Sequence, residues 1–324
     1  MYGMRDQHNR KIDYLRISVT DRCNLRCQYC MPEEGIQLLK HKEVLSYEDI
    51  LKIVHLFVQL GITKIKITGG EPLVRKNIFS LVRKLKEIPE IETVTMTTNG
   101  ILLKNHLEEV VSSGLDGLNI SLDTLDEKKY ATLTRGGQLH DVLKSLEYLL
   151  DSNFKNIKIN TVLIRGFNDD EILSLARLTQ HNPIQLRFIE LMPIGNGRNF
   201  HSYSQDEVKK LLQREFGTPR AVLKKLGNGP ANYYHYPNFI GNIGFIDPMN
   251  HKFCQDCNRI RLSAQGYLKL CLQYSDGLDL RPFINGEKDE MEARNAIFQS
   301  IHRKPLENTF EKEDISFYMN EIGG

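Results

Sequence analysis

The chain of 324 residues contains no tryptophan. It also lacks any apolar run near the ~18 residues of a membrane helix, and its opening stretch "MYGMRDQHNRKIDYLRISV" has no apolar block of the secretory type. Nor does one sign of charge dominate: 43 lysines and arginines face 41 aspartates and glutamates, for a net charge of +2. The lack of apolar runs argues against a helical membrane span. The lack of tryptophan and the balanced charge argue against a nucleic-acid partner, because such proteins combine a basic surplus with aromatic stacking platforms. The expectation is a cytoplasmic protein that meets neither membrane nor nucleic acid.

What is present is ordinary in bulk and unusual in detail. Hydrophobic residues at 40% and charged residues at 26% are typical of a folded chain, so disorder is not the default. From residue 12 to about 191, β-branched runs alternate with helical patterns. The runs are 12–19, 63–68, 92–98, 116–121, 156–163 and 184–191. Between the first two, Ile50, Ile53, Val54, Phe57 and Val58 recur at helical spacing after Ser46, which can cap a helix three residues before Asp49. Similar patterns lie near 78–87, 103–113, 140–151 and 169–180. Strand and helix alternating in this way imply right-handed crossovers and a parallel sheet. Polar clusters follow the ends of successive strands: the first cysteines, "GGEP" (69–72), "TTNG" (97–100), Ser121 with Asp123, and "MPIGNG" (192–197). Barrel enzymes build their sites on that rim. The expected fold is α/β, a partial (β/α)6 TIM-like barrel over 1–216, with a C-terminal extension over 217–324 that caps the barrel mouth. In the extension, strand-like runs at 240–246, 259–263 and 267–272 precede a helix near 287–302.

Six cysteines form two trios: Cys23, Cys27 and Cys30 in "DRCNLRCQYCMP", then Cys254, Cys257 and Cys271 in "CQDCNRIRLSAQGYLKLC". Three is an odd number for disulfides, and a structural zinc takes four protein ligands. Zinc stays open if His251 or His41 completes a Cys3His set. A 4Fe–4S cluster held by three thiolates instead leaves one iron open to a small molecule. Two such trios would make two facing sites. Arg259 and Arg261 alternate in "NRIRLS", so on a strand they share a face.

The CxxxCxxC spacing of "CNLRCQYC" resembles the signature of radical S-adenosylmethionine (SAM) enzymes. Taken together, "DRCNLRCQYCMP", "TGGEPLVR", "TTNG", "ELMPIG", "CNRIRLS" and the closing "IGG" are similar to the GTP 3′,8-cyclase family of molybdenum cofactor biosynthesis, over nearly the whole chain. The resemblance implies two 4Fe–4S clusters and SAM as cofactors. Cys23, Cys27 and Cys30 would hold the cluster whose open iron is chelated by SAM, and Cys254, Cys257 and Cys271 an auxiliary cluster facing the guanine of GTP. Tyr29, Gly70, Glu71, Ser121 and Met192 fall at SAM-binding positions, with Gly69 and Gly70 permitting close approach and Glu71 offering a carboxylate to the SAM ammonium. Arg16, Lys66, Thr97, Lys158, Arg259 and Arg261 fall at GTP positions. Lys66 departs from the arginine often found there, keeping the charge without the planar fork. Gly323 and Gly324 match a tail thought to reach the active site.

The implied reaction turns GTP into (8S)-3′,8-cyclo-7,8-dihydro-GTP after a 5′-deoxyadenosyl radical takes the ribose 3′ hydrogen. The implied partners are a reductant such as flavodoxin or ferredoxin, a downstream cyclic pyranopterin monophosphate synthase, and a second copy in a homodimer. The rival readings are a radical SAM peptide maturase with an auxiliary cluster and a pair of zinc knuckles gripping RNA.

Overall fold

The computed structural model describes residues 3–310 and 318–319. Six strands form inside the expected runs: β1 (Tyr14–Ser18), β2 (Lys64–Thr68), β3 (Thr93–Thr98), β4 (Gly117–Ser121), β5 (Ile157–Leu163) and β6 (Gln185–Glu190). Each pairs in parallel with the next. The crossovers are α1 (Tyr47–Gln59), α2 (Ile78–Lys86), the short α3 (Leu107–Ser112), α4 (Glu127–Thr134) with α5 (Leu139–Asp151), and α6 (Ile172–His181). Ser46 caps α1 as expected, accepting from Asp49 N–H while Asp49 bonds back to Ser46 N–H, an arrangement worth ~1 kcal/mol.

Strand alternation separates two environments. Leu15, Ile17, Ile65, Ile67, Val94, Met96, Leu118 and Ile120 face the helices and are fully buried against Ile50, Ile53, Phe57 and their neighbours. Each contributes about 1.5–3 kcal/mol by leaving water, so stabilising burial is concentrated between sheet and helices. The opposite face of the same strands carries Arg16, Lys66, Thr95, Thr97, Asn119, Lys158, Asn160 and Arg187. A closed eight-stranded barrel fills its interior with branched apolar side chains. Here the interior is polar and holds a cavity.

After α7 (Gln205–Phe216) the chain adds β7 (Arg220–Val222), β8 (Asn232–His235), β9 (Asn242–Ile246), β10 (Arg259–Leu262), β11 (Tyr267–Lys269) and β12 (Gly277–Asp279), then α8 (Arg281–Ile284) and α9 (Glu290–His302). This extension does more than cap a mouth. β9 pairs in parallel with β6 and β10 in parallel with β1, while β7–β8 and β11–β12 continue outward in antiparallel fashion. The twelve strands follow one line, β12-β11-β10-β1-β2-β3-β4-β5-β6-β9-β8-β7, so among the described residues the sheet is an open partial barrel. Six strands leave two edges of unpaired backbone groups, and the extension satisfies both. No helix among the described residues is long and apolar enough to cross a membrane.

Candidate active site

The loop after β1 carries Cys23, Cys27 and Cys30 and is fastened to the turn after β2. Gly70 N–H donates to Thr20 O and Glu71 N–H to Arg22 O, both at 2.8 Å. A Cβ on Gly70 would stand 2.4 Å from Arg22 O and one on Gly69 2.7 Å from Thr20 O, so this approach requires residues without side chains. Glu71 is buried and fully engaged: Oε1 accepts from Leu73 N–H (3.0 Å) and the Thr98 hydroxyl (2.8 Å), and Oε2 from Asn99 N–H (2.7 Å). Burial pushes its carboxyl up to about 7 in spite of those donors. The carboxylate thereby ties "GGEP" to "TTNG". Asn99 in turn reaches Cys23 Sγ at 3.8 Å.

Tyr29 is held by its hydroxyl, which donates to Asp123 Oδ2 at 2.8 Å, while Asp123 Oδ1 accepts from Val162 N–H. Burial pushes Asp123 up to about 6. Ser121 ends β4 opposite Asn160. Met192 packs against Ile194 and Phe310, with Met249, Leu272 and Met319 beside them. Its loop is joined to the second cysteine loop through Glu190, which accepts from Met249 N–H at 2.8 Å. Burial and the adjacent Asp247 hold Glu190 above the usual carboxylate range.

Cys254 opens a short turn, Cys257 precedes β10 and Cys271 follows β11. The buried Arg10 fixes this end: it pairs with Asp6 at 2.6 Å and donates to the carbonyls of Cys254 (2.7 Å), Pro305 (2.7 Å) and Leu306 (2.9 Å). Arg259 Nη2 lies 3.7 Å from Cys257 Sγ, and Asn308 Nδ2 3.4 Å from Cys254 Sγ. The buried Lys304 ammonium donates to Leu270 O. Against burial, which raises it, Arg259 and Lys304 pull the Cys257 thiol down to about 6. Burial instead drives Cys23 up to about 11 and Cys27 well above its ordinary value. Cys257 therefore sits in more electropositive surroundings than Cys23 and Cys27, whereas burial raises Cys254 as it does the first trio.

Between the trios lies a belt of cations set by register. Arg261, Arg16 and Lys66 stand side by side on β10, β1 and β2, and Thr97, Asn119 and Lys158 on β3, β4 and β5. Lys66 Nζ reaches Thr97 Oγ1 at 3.4 Å, and Lys158 Nζ donates to Asn156 Oδ1 at 2.5 Å. Burial, with Arg187, Arg16 and Lys158 nearby, forces the Lys66 ammonium well below its ordinary value. Burial and Arg187 bring Lys158 down to about 7. Burial, with Arg259 and Arg187 nearby, lowers Arg16 to about 10 in spite of the Tyr14 phenol. Among the described residues the wall has few carboxylates to offset this charge: Glu71 and Asp123 at the first-trio end, and Asp116, which is already bound by Lys86 and Val94 N–H.

Every residue expected to hold a cluster, SAM or GTP, the terminal glycines aside, lies on the wall of one cavity of about 650 Å³, both trios included. Gly323 and Gly324 lie outside the described residues. Neither His41 nor His251 is on that wall, and His251 Nδ1 is bonded to Asp247 at 2.6 Å, so the Cys3His sets do not assemble. Among the described residues no three His, Cys, Asp or Glu side chains converge as ligands of a single metal ion. The thiolates of a cubane bind different irons, so a trio that holds one stands wider apart than the ligands of one ion. Three features of the wall went unread in the sequence: Arg187, Lys304 and the loop from Lys224 to Pro230. Arg187 was legible, since it interrupts the apolar run of β6 at the alternate position.

Residues 17–179 match the model of the radical SAM superfamily, and residues 184–310 that of Molybdenum Cofactor Synthesis C. A GTP 3′,8-cyclase of Clostridium perfringens is 45% identical over 99% of this chain and 100% of its own length. One from Thermodesulfovibrio yellowstonii is 45% identical over 93% and 94%. Among solved structures, Streptococcus suis SuiB bound to S-adenosylmethionine superposes with a TM-score of 0.63 at 16% identity, covering 92% of this chain and 69% of that one; this is a likeness of fold. Radical SAM enzymes use SAM with a 4Fe–4S cluster. A full-length match at this identity, on a chain whose two halves fit these two models in order, decides the classification: the chain belongs to the GTP 3′,8-cyclase family of the radical SAM superfamily.

Proposed function

We propose that this chain converts GTP to (8S)-3′,8-cyclo-7,8-dihydro-GTP, the first step of molybdenum cofactor biosynthesis. The observation that carries the reading is that two cysteine trios and the cation belt between them share one cavity. The donor sets fit the groups assigned to them. Three thiolates leave a fourth position for a small molecule, and among the described residues neither trio has a histidine or carboxylate placed to complete a single-ion site. Cys23, Cys27 and Cys30 would hold the cluster that binds SAM, and Cys254, Cys257 and Cys271 a second 4Fe–4S cluster. When bound, SAM and its cluster would supply the 5′-deoxyadenosyl radical that takes the ribose 3′ hydrogen; the C3′–C8 bond forms at the expense of the guanine C8=N7 double bond, and one further electron from the reductant with one proton completes the 7,8-dihydro product.

The protein's part is to bind, orient and exclude water. Tyr29, Gly70, Glu71, Ser121 and Met192 form the SAM end, with Glu71 acting through the turn it fastens. Arg16, Lys66, Thr97, Lys158, Arg259 and Arg261 receive GTP, whose triphosphate provides the negative charge the belt lacks. The division of labour follows the chain, with 1–216 as the radical SAM barrel and 217–324 as the extension that brings the second cluster and part of the GTP site. We place the reaction in the cytoplasm, in a homodimer that takes electrons from a flavodoxin or ferredoxin and passes its product to a cyclic pyranopterin monophosphate synthase. The peptide-maturase reading has only a fold likeness behind it, and a cavity lined by cations suits a polyphosphate better than a peptide.

The test separates the two trios. Cys27→Ala is expected to abolish 5′-deoxyadenosine formation, whereas Cys257→Ala retains uncoupled SAM cleavage and loses cyclised product. Complete loss of SAM cleavage in both variants would contradict the assignment.

A further inference from the structure

The connection between β7 and β8 runs through residues 223–231, longer than the ~2–5 residues that close an ordinary hairpin. It reaches away from its own strands at the sheet edge. Asn228 Nδ2 donates to Thr93 Oγ1 at 2.8 Å, so the tip is pinned to the first residue of β3, across β4, β5, β6 and β9 in the strand order. Thr93, Asp116, Asn156 and Tyr14 mark the N-terminal ends of their strands. The loop therefore lies at the end of the cavity opposite the first cysteine trio.

Its chemistry suits that position. All residues from Lys224 to Pro230 line the cavity, yet Lys224 and Lys225 are exposed, which places both ammonium-bearing side chains at a mouth. At Gly227 an added Cβ would stand 3.2 Å from Lys158 Nζ, so the loop backbone lies against one of the belt cations. Among the described residues the lysines of the cavity wall are Lys66, Lys158, Lys224, Lys225 and Lys304; the two exposed ones, Lys224 and Lys225, extend the belt of Arg16, Lys66 and Lys158 outward to solvent. A chain of phosphates lying along the belt would end beside them.

Resting on the proposed GTP reading, we infer that the 224–230 loop is a subsite for the terminal phosphate, and that Lys224 and Lys225 make the enzyme prefer a nucleoside triphosphate over its di- and monophosphate. The loop closes on the phosphate end through Asn228 and Thr93 and leaves the guanine to the second trio. Exposed lysines of this kind act by charge, so their contribution falls as salt rises.

Calorimetric titration of the full-length, cluster-loaded protein with GTP, GDP, GMP and inorganic tripolyphosphate tests this. The Lys224→Gln/Lys225→Gln double variant is expected to lose roughly five- to tenfold in affinity for GTP and tripolyphosphate, the size two exposed ion pairs can supply, and less than twofold for GMP. Cluster content and the circular dichroism spectrum of the variant should match the parent. Equal losses for GTP and GMP, or no loss for either triphosphate, would overturn the subsite. The proposed function fails separately: if the parent binds tripolyphosphate but does not favour GTP over ATP, the guanine reading falls, and the tripolyphosphate ratio still decides the loop.

Discussion

Lys158 shows what the site demands of a single residue. Burial and Arg187 bring its ammonium down to about 7, from an ordinary lysine value near 10.5. A base whose folded pKa lies below its unfolded value opposes folding while it is protonated. That penalty is relieved as pH rises from about 7 towards 10.5. The nucleotide-free protein should accordingly gain stability from this residue across that window. Lys158→Met removes the penalty and keeps the packing of the stem. It is expected to raise stability at pH 7 by on the order of 1–2 kcal/mol, a few degrees in Tm, to flatten the rise with pH, and to weaken GTP binding at least tenfold. Differential scanning fluorimetry at pH 7 and pH 9, with and without GTP, reads all three. A lower Tm for the variant at pH 7 would mean that Lys158 supports the fold instead of straining it.

Among the elements, the turn after β2 and the cysteine loop form one unit. Gly70 has no room for a Cβ beside Arg22 O, and the Gly70 and Glu71 amides carry the bonds that seat the loop. Gly70→Ala should displace the first trio and leave the second, which is fixed independently by Arg10 and Lys304. Iron analysis and electron paramagnetic resonance of reconstituted protein should find about half the parent's iron, the result expected when one of the two proposed clusters is lost. Parental iron content in the variant would show that the loop tolerates the shift. The six parallel strands were legible because alternation of apolar and polar residues is a local signal. So was the shared face of Arg259 and Arg261. The helices α4 and α7 were missed because "EKKYATLT" and "QDEVKKLLQREF" carry few apolar residues; α7 did advertise itself through Ser204 and Glu207, which form a capping box. β7 and β12 are short edge strands and β8 is a four-residue strand between β9 and β7; their pairing is decided by tertiary contact, and no pattern in three or four residues announces that. Lys224, Lys225 and Lys304 were invisible for the same reason. They join the site through the path of the extension, and each reads alone as an ordinary surface lysine.

At the scale of the whole molecule, the open sheet explains why the chain carries its extension. A polar interior gives the barrel a cavity but little apolar burial of its own, so stability rests on the helical layer outside and on pairing at both sheet edges. β9 and β10 supply that pairing on β6 and β1. The connections around them deliver Cys254, Cys257, Arg259 and Arg261 to one side and the 224–230 loop to another. Fold completion and assembly of the site are thus one event. The central claim is that the two ends of this cavity act on one GTP molecule. Its most direct test is incubation of the anaerobically reconstituted protein with SAM, dithionite and GTP deuterated at the ribose 3′ position, with mass analysis of the 5′-deoxyadenosine released. The account predicts deuterium in that product; 5′-deoxyadenosine formed without deuterium would contradict it.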